Sequence, residues 1–181
     1  LPSGGGSNVL VVNPSLDERP VRLTLADGSH VSSRDSIAPL AIAVIDIASL
    51  KAQPGLSASS SHLENETLKV TLAKDGSISS ILHKPSGREA LEGAGNRLFV
   101  YPADKPRNWD AWDVEEDYAA RGEEITALDS IELIENTAHR AAIRIVRSWR
   151  HSRITQILSL GANSRRLDIQ TELDWHDRRA F

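Results

Sequence analysis

The chain has 181 residues, with 25 acidic and 21 basic side chains and a formal net charge of −4. This balance predicts no general nucleic-acid surface, and the absence of cysteine excludes disulfides, thiol catalysis and thiolate metal sites. The longest apolar run, Leu40 to Ile45, is followed by Asp46 and is shorter than the ~20 residues that a membrane span needs. We therefore expect no membrane partner and a cytoplasmic location.

The first third of the chain predicts a small β-domain. Its Gly/Ser-rich start, 1–7, is typical of a flexible lead-in, and the apolar stretch 8–12 is typical of a strand. Apolar residues alternate over 21–26, and Asp27-Gly28 then predicts a hairpin with a type I′ turn. The β-branched run within 41–47 predicts a buried strand.

A domain boundary is predicted in the stretch 53–61, which holds a Pro-Gly pair and four serines. Residues 1–56 then form the small β-domain, and residues 57–181 form the first part of a large β-sandwich. The sequence lacks methionine and begins at Leu1, so we expect it to be part of a longer protein.

The second part of the chain predicts many short antiparallel strands. Asp75-Gly76 repeats the hairpin signal of the first part. Further strands are expected at 68–72, 77–82, 96–102, 125–135, 141–150, 154–160 and 167–176. The last alternates with period 2, and its apolar face carries Leu167, Ile169, Leu173 and Trp175. The fold class is therefore all-β, and open edges at its end invite pairing with another chain.

One irregular stretch, 103–122, concentrates residues that suit sugar binding. Trp109, Asp110, Trp112 and Asp113 lie within five positions, and carbohydrate sites combine apolar indole faces with carboxylates that accept hydroxyl hydrogen bonds. An extended backbone would place Trp109 and Asp113 on one side, with Asp110 and Trp112 on the other. The alternative is a surface loop anchored by one buried tryptophan.

Other candidates favour structural interpretations. Asp110 and Asp113 could reach the carboxylate separation of a glycosidase pair, but such pairs come from different elements. The histidines lack zinc-site spacing, and Asp174 with His176 predicts a surface ion pair. Five arginines, at 140, 144, 147, 150 and 153, predict a solvated hairpin rather than a phosphate site. The chain holds no complete catalytic motif.

Three segments together resemble the glycoside hydrolase family 38 α-mannosidases of the bacterial and cytosolic branch. The first begins His62-Leu-Glu-Asn-Glu and runs to Lys84-Pro-Ser-Gly-Arg-Glu. The second is Gly95-Asn-Arg-Leu followed by Asp104-Lys-Pro-Arg-Asn-Trp-Asp-Ala-Trp-Asp. The third is Arg166-Leu-Asp through Leu173-Asp-Trp-His-Asp-Arg.

The resemblance implies that this chain is a non-catalytic part of a retaining α-mannosidase. Its larger domain is expected to begin a galactose-mutarotase-like supersandwich. Zinc and the catalytic aspartates belong to a separate N-terminal domain of the same polypeptide, against which this region packs. The family resemblance also implies that the tryptophan-rich loop reaches the catalytic cleft.

Trp109, Asp110, Trp112 and Asp113 are therefore the substrate-proximal candidates, and they shape the α-mannoside site without cleaving the bond. We expect the chain to be inactive alone. A stand-alone carbohydrate-binding module and a purely structural or interaction domain are the alternatives.

Overall fold

A computed structural model describes residues 8–52, 56–102, 105, 106, 108, 109 and 112–181. In chain order its strands are β1 (Asn8–Val12), β2 (Arg19–Thr24), β3 (His30–Ile37), β4 (Ile42–Asp46), β5 (Lys51–Ala52), β6 (Ser57–Ser59), β7 (His62–Glu64), β8 (Leu68–Leu72), β9 (Ile78–His83), β10 (Arg88–Glu89), β11 (Phe99–Val100), β12 (Glu123–Glu124), β13 (Ser130–Asn136), β14 (Arg140–Trp149), β15 (Ser152–Gly161) and β16 (Leu167–Asp174). Short 3-10 turns occupy Ile47–Ser49, Lys84–Ser86 and Tyr118–Arg121. The predicted all-β class is confirmed, and none of the helical turns in these residues is long and apolar enough to cross a membrane.

Both predicted Asp-Gly hairpins form, but the type I′ turn is wrong. In the first, Leu25 N donates to Ser29 O at 2.8 Å and Gly28 N donates to Leu25 O at 2.9 Å. Of the two central residues, only Gly28 has a positive φ, 83°. This geometry is a type I turn followed by a left-handed glycine. The second hairpin repeats it, with Gly76 at φ 75°, so similar sequences produce the same turn.

The first part of the chain forms two small antiparallel sheets, β1-β4 and β2-β3-β5. The sequence predicts burial for the second of these strands, β4, because of its β-branched run. The prediction of a buried strand at 41–47 is wrong for one face, since Ile42 and Val44 are each 66% exposed. The opposite face, with Ala43 and Ile45, is half-buried.

Two larger sheets, β10-β9-β8-β7-β6 and β13-β14-β15-β16, pack face to face as a sandwich. The strand β6 contacts β13 and β14, and β7 contacts β15. The two sheets share one apolar core, whose largest fully buried side chains are Leu63, Val70, Ile143, Ile145, Leu158 and Leu160. Truncating one such side chain to alanine typically costs ~2–5 kcal/mol, so this core dominates the stability of the sandwich.

The serine-rich stretch predicted as a linker is partly structured. Ser57–Ser59 forms β6 and pairs antiparallel with His62–Glu64 of β7. The linker interpretation is wrong there, because the serines lie on an edge strand where alternate side chains reach solvent. Residues 1–7 and 53–55 lie outside the described residues, and the boundary between 1–56 and 57–181 stays a prediction.

The strand β16 forms one edge of the sandwich. Its predicted apolar face is confirmed by the pairing with β15, which places Ile169 beside Leu158 and Leu173 beside Ile154. On the edge strand, however, Ile169 remains 42% exposed and Leu173 61% exposed. The predicted strand at 96–102 is reduced to Phe99–Val100, and 103–122 is irregular except for the 3-10 turn, where it is described.

Candidate functional site: the Trp loop

The Trp loop, residues 103–122, leaves the sandwich between two paired short strands. Phe99 pairs with Glu124 and Val100 with Glu123, so the two ends of the loop are held side by side. Arg97 braces this base, because its Nε donates to a Glu124 carboxylate oxygen at 2.6 Å and its Nη2 donates to the other. The Glu124 carboxylate beside this guanidinium has its pKa lowered by the hydrogen bond.

Three aromatic rings tie the later half of the loop to the base. Tyr118 meets Tyr101 edge to face with 5.2 Å between the ring centroids, and Tyr101 stacks on Phe181 at 5.0 Å. Gly122 lies so close that a Cβ there would be 2.8 Å from Tyr101 Cε1. Glycine is therefore required for this close approach, and the loop is anchored by Tyr118 rather than by a tryptophan.

Two tryptophans lie together at the tip of the loop. Trp112 N and Asp113 N both donate to Trp109 O, at 2.9 and 3.0 Å. The extended arrangement considered from the sequence is therefore wrong. Trp109 has a φ of 59°, a left-handed conformation that is costly for a bulky residue. Such strain is found at binding sites more often than elsewhere.

The two indoles form an exposed apolar corner. Their ring centroids are 5.9 Å apart and their planes cross at 83°. Trp109 is 68% exposed and Trp112 is 81% exposed, so the alternative of a loop anchored by one buried tryptophan is wrong for these two. Two indole faces at nearly right angles present a surface that an apolar face of a ring-shaped ligand can contact.

Acidic residues follow this corner in the sequence. Four of the five residues 113–117 are acidic, and Asp113 is exposed beside Trp112. Arg121 neutralises the charge of Asp117 through an ion pair at 3.1 Å. The negative field and the carboxylate acceptors favour a hydroxyl-rich neutral ligand over a phosphate. Asp110 lies outside the described residues, so both its substrate-proximal role and the Asp110–Asp113 pairing stay predictions.

The histidine candidates behave as structural groups. The predicted surface pair is confirmed, with His176 Nε2 2.8 Å from Asp174 Oδ1. Asp177 instead accepts from Ser152 Oγ at 2.6 Å and from His151 N at 3.2 Å. These hydrogen bonds lower the pKa of Asp177, with Ser152 contributing most.

Across the described part of the chain, no three histidine, aspartate or glutamate side chains gather in a way that could hold a metal ion.

The predicted solvated hairpin is confirmed at Arg140 and Arg144, which are exposed, and is wrong at Arg147, which is buried. Arg140 and Arg144 pair with glutamates on β13 at 2.8 and 2.6 Å. Arg147 differs, because it is 2% exposed and points into the sandwich, and burial lowers its pKa. Its guanidinium donates to Asp75 O at 2.7 Å and to Gln156 Oε1 at 3.1 Å.

Sequence reasoning missed this internal network and the braces at the base of the Trp loop. Gln156 and Asn96 exchange two hydrogen bonds, at 3.0 and 2.9 Å, across 60 positions of sequence. Asn96 precedes Arg97, so the network and the base of the loop are continuous. In the sequence, only the Gly95-Asn-Arg-Leu segment pointed to this region, and that motif does not assign a role to any individual side chain.

The sequence matches the model of the glycosyl hydrolases family 38 C-terminal domain over residues 63–181. This chain belongs to that family. The matched range contains the whole sandwich from β8 onward and the Trp loop, so the exposed indole corner is a feature of a family 38 C-terminal domain.

Two curated relatives carry the same name. Alpha-mannosidase 2C1 of Homo sapiens and that of Mus musculus are each 29% identical to this chain over 122 residues. The alignment covers 66% of this chain and 12% of each relative. This family 38 chain therefore matches about an eighth of the length of those mannosidases.

Proposed function

We propose that this chain is the non-catalytic β-region of a zinc-dependent retaining α-mannosidase, and that its Trp loop helps to shape the mannose site. The observation that carries the proposal is the exposed corner of Trp109 and Trp112 on a braced loop of a family 38 C-terminal domain. Trp109, Asp110, Trp112 and Asp113 are the proposed substrate-proximal residues. The tryptophans contact the apolar face of the sugar, and the carboxylates accept hydrogen bonds from its hydroxyls.

Bond cleavage belongs, in this proposal, to the catalytic domain of the same polypeptide. That domain supplies zinc and the pair of carboxylates that retaining glycosidases use. The support is that the relatives are alpha-mannosidases far longer than the shared stretch. The proposal includes a cytoplasmic setting, which suits a chain without cysteine.

The proposal is tested first by activity. The chain alone is incubated with p-nitrophenyl α-mannoside, with and without zinc, and release of nitrophenolate is followed. We expect no turnover above a buffer blank. Hydrolysis by the chain alone would contradict the proposal that a separate domain cleaves the bond, because the bond-cleaving groups would then have to lie within these 181 residues.

A stand-alone carbohydrate-binding module is the second candidate, and the same exposed indoles favour it. Titration with methyl α-mannoside, followed by tryptophan fluorescence and calorimetry, separates the two functions. A saturable change that Trp109→Ala and Trp112→Ala both abolish, but that Ile134→Ala on β13 retains, would favour the module. No change at millimolar sugar would favour a loop that binds only together with the catalytic domain.

A further inference from the structure

The ribbon of β1 and β4 exposes an apolar face that has no cover in the described structure. Leu10 pairs with Val44, and Val12 pairs with Ile42. Because alternate residues of a strand share a face, these four side chains lie together; we call them the ribbon face. Their exposed fractions are 68% for Leu10, 66% for Val44, 56% for Val12 and 66% for Ile42.

The ribbon face is not an ordinary solvent face. In a half-exposed sheet, outward positions are polar and inward positions apolar. Here both faces are apolar except at one end, where Asn8 pairs with Asp46, since Val9, Val11, Ala43 and Ile45 line the half-buried side. A ribbon that is apolar on both sides has the sequence of a strand pair buried on both sides, and contiguous exposed apolar side chains mark interaction surfaces.

The size of the face argues against a second copy as its cover. The four side chains contain 14 carbon atoms beyond Cα, and at ~30 Å² per carbon with about two-thirds exposed they offer about 300 Å². A stable complex of separate chains needs about 800 Å² from each partner. A tethered segment needs less contact, because the effective concentration within one polypeptide reaches millimolar values.

The dimensions of the ribbon face match those of an α-helix. Five residues of strand span about 17 Å, the length of about 11 residues of α-helix. The two paired strands are about as wide as one helix. A strand added to either edge of the ribbon would satisfy backbone groups there but would leave the four side chains in water.

We propose that the ribbon face is the docking site of an amphipathic α-helix from another part of the same polypeptide. The helix carries apolar residues at i, i+3 or i+4, and i+7, which pack along Leu10, Val12, Ile42 and Val44. This inference rests on the proposed function, since it requires a longer enzyme like the mannosidases that are about eight times as long as the stretch they share with this chain. It assigns a specific surface and a specific element to the packing between the two parts.

The first test is carbene footprinting of the complete polypeptide and of this chain, with Leu16, which is 81% exposed here, as the internal reference. If a helix covers the ribbon face, the exposed fraction of Leu10 and Val44 falls from about two-thirds to that of a core residue. Their labelling relative to Leu16 should therefore be about seven-fold lower in the complete polypeptide than in this chain. Equal labelling in both samples would overturn the inference.

The second test identifies the occupant. Leu10→p-benzoylphenylalanine and Val44→p-benzoylphenylalanine are introduced into the complete polypeptide and irradiated, with Lys69→p-benzoylphenylalanine, on the exposed side of β8, as the control. We expect intramolecular cross-links to residues spaced three, four or seven apart, and none from position 69 to that segment. Cross-links between isotopically distinct copies, cross-links to a strand or loop, or no cross-link would overturn it. Both readouts are independent of the Trp loop, so this inference and the proposed function fail separately.

Discussion

Asn65→Ala should strongly destabilise the sandwich. Asn65 is 0% exposed and connects the turn before β8 to the turn after β15. Its Nδ2 donates to Gly161 O and Ser164 O, both at 2.8 Å. Its Oδ1 accepts from Thr67 N at 2.8 Å and from Leu68 N at 2.7 Å. Alanine removes all four hydrogen bonds and leaves their backbone partners without this amide.

The magnitude follows from the burial of those partners. The Leu68 bond is buried and the other three are partly buried. An unsatisfied buried group costs ~1–3 kcal/mol, and a hydrogen bond whose partner regains water costs ~0.5–1 kcal/mol. One buried group and three partly buried ones sum to about 2.5–6 kcal/mol, a large fraction of the ~5–15 kcal/mol that typical domains possess.

The assay is urea unfolding followed by far-ultraviolet circular dichroism. With an m-value of ~2 kcal/mol/M, the midpoint should fall by about 1.2–3 M. Asn163→Ala is the matched control, because Asn163 is exposed in the same turn and should change stability by less than ~0.5 kcal/mol. A urea midpoint of Asn65→Ala within 0.5 M of the control corresponds to about 1 kcal/mol at that slope. Such a result would mean that the hydrogen bonds of Asn65 are not a principal stabilising contact.

Two further predictions concern the hairpin glycines and Asp177, which follows β16 and accepts a hydrogen bond from Ser152 of β15. Gly76→Ala should destabilise the protein by ~1–3 kcal/mol more than Gly28→Ala in thermal unfolding. A Cβ at Gly76 would lie 2.7 Å from Arg147 Nη2, whereas Gly28 faces open space. Equal losses of stability in the two variants would contradict this close contact. The lowered pKa of Asp177 means that its hydrogen bonds stabilise the fold above the unfolded pKa of ~3.9 and that this stability is lost as pH falls through the folded value. The stability gap between wild type and Asp177→Asn should therefore shrink between pH 5 and about pH 2, and a constant gap would refute the assignment.

The strands were predictable where side-chain alternation and turn residues agree. The hairpins at Asp27-Gly28 and Asp75-Gly76 and the alternating strand β16 follow from local pattern alone. The turn type was not predictable, since both I′ and type I with a left-handed glycine accept Asp-Gly. The serine-rich β6 is a strand because β7 pairs with it, which composition cannot reveal.

The candidate site was predictable in composition but not in geometry. Two tryptophans and two aspartates within five positions identify the loop, yet the turn that brings Trp109 against Trp112 depends on a left-handed backbone at Trp109. The base of the loop depends on contacts between distant positions, such as Arg97 with Glu124 and Tyr101 with Phe181. Single-sequence patterns carry local periodicity and do not encode such pairings.

The most direct measurement is kcat/KM of the complete polypeptide on p-nitrophenyl α-mannoside, compared between wild type, Trp112→Ala and the control Ile134→Ala. Trp112 is 81% exposed in this chain, and Ile134, on β13, is 43% exposed, so neither change should disturb the fold. If the Trp loop shapes the mannose site, Trp112→Ala should lower kcat/KM about ten-fold or more, equivalent to ~1.4 kcal/mol of transition-state stabilisation, while Ile134→Ala stays at the wild-type value. A Trp112→Ala enzyme as active as wild type would contradict the proposed role of the loop.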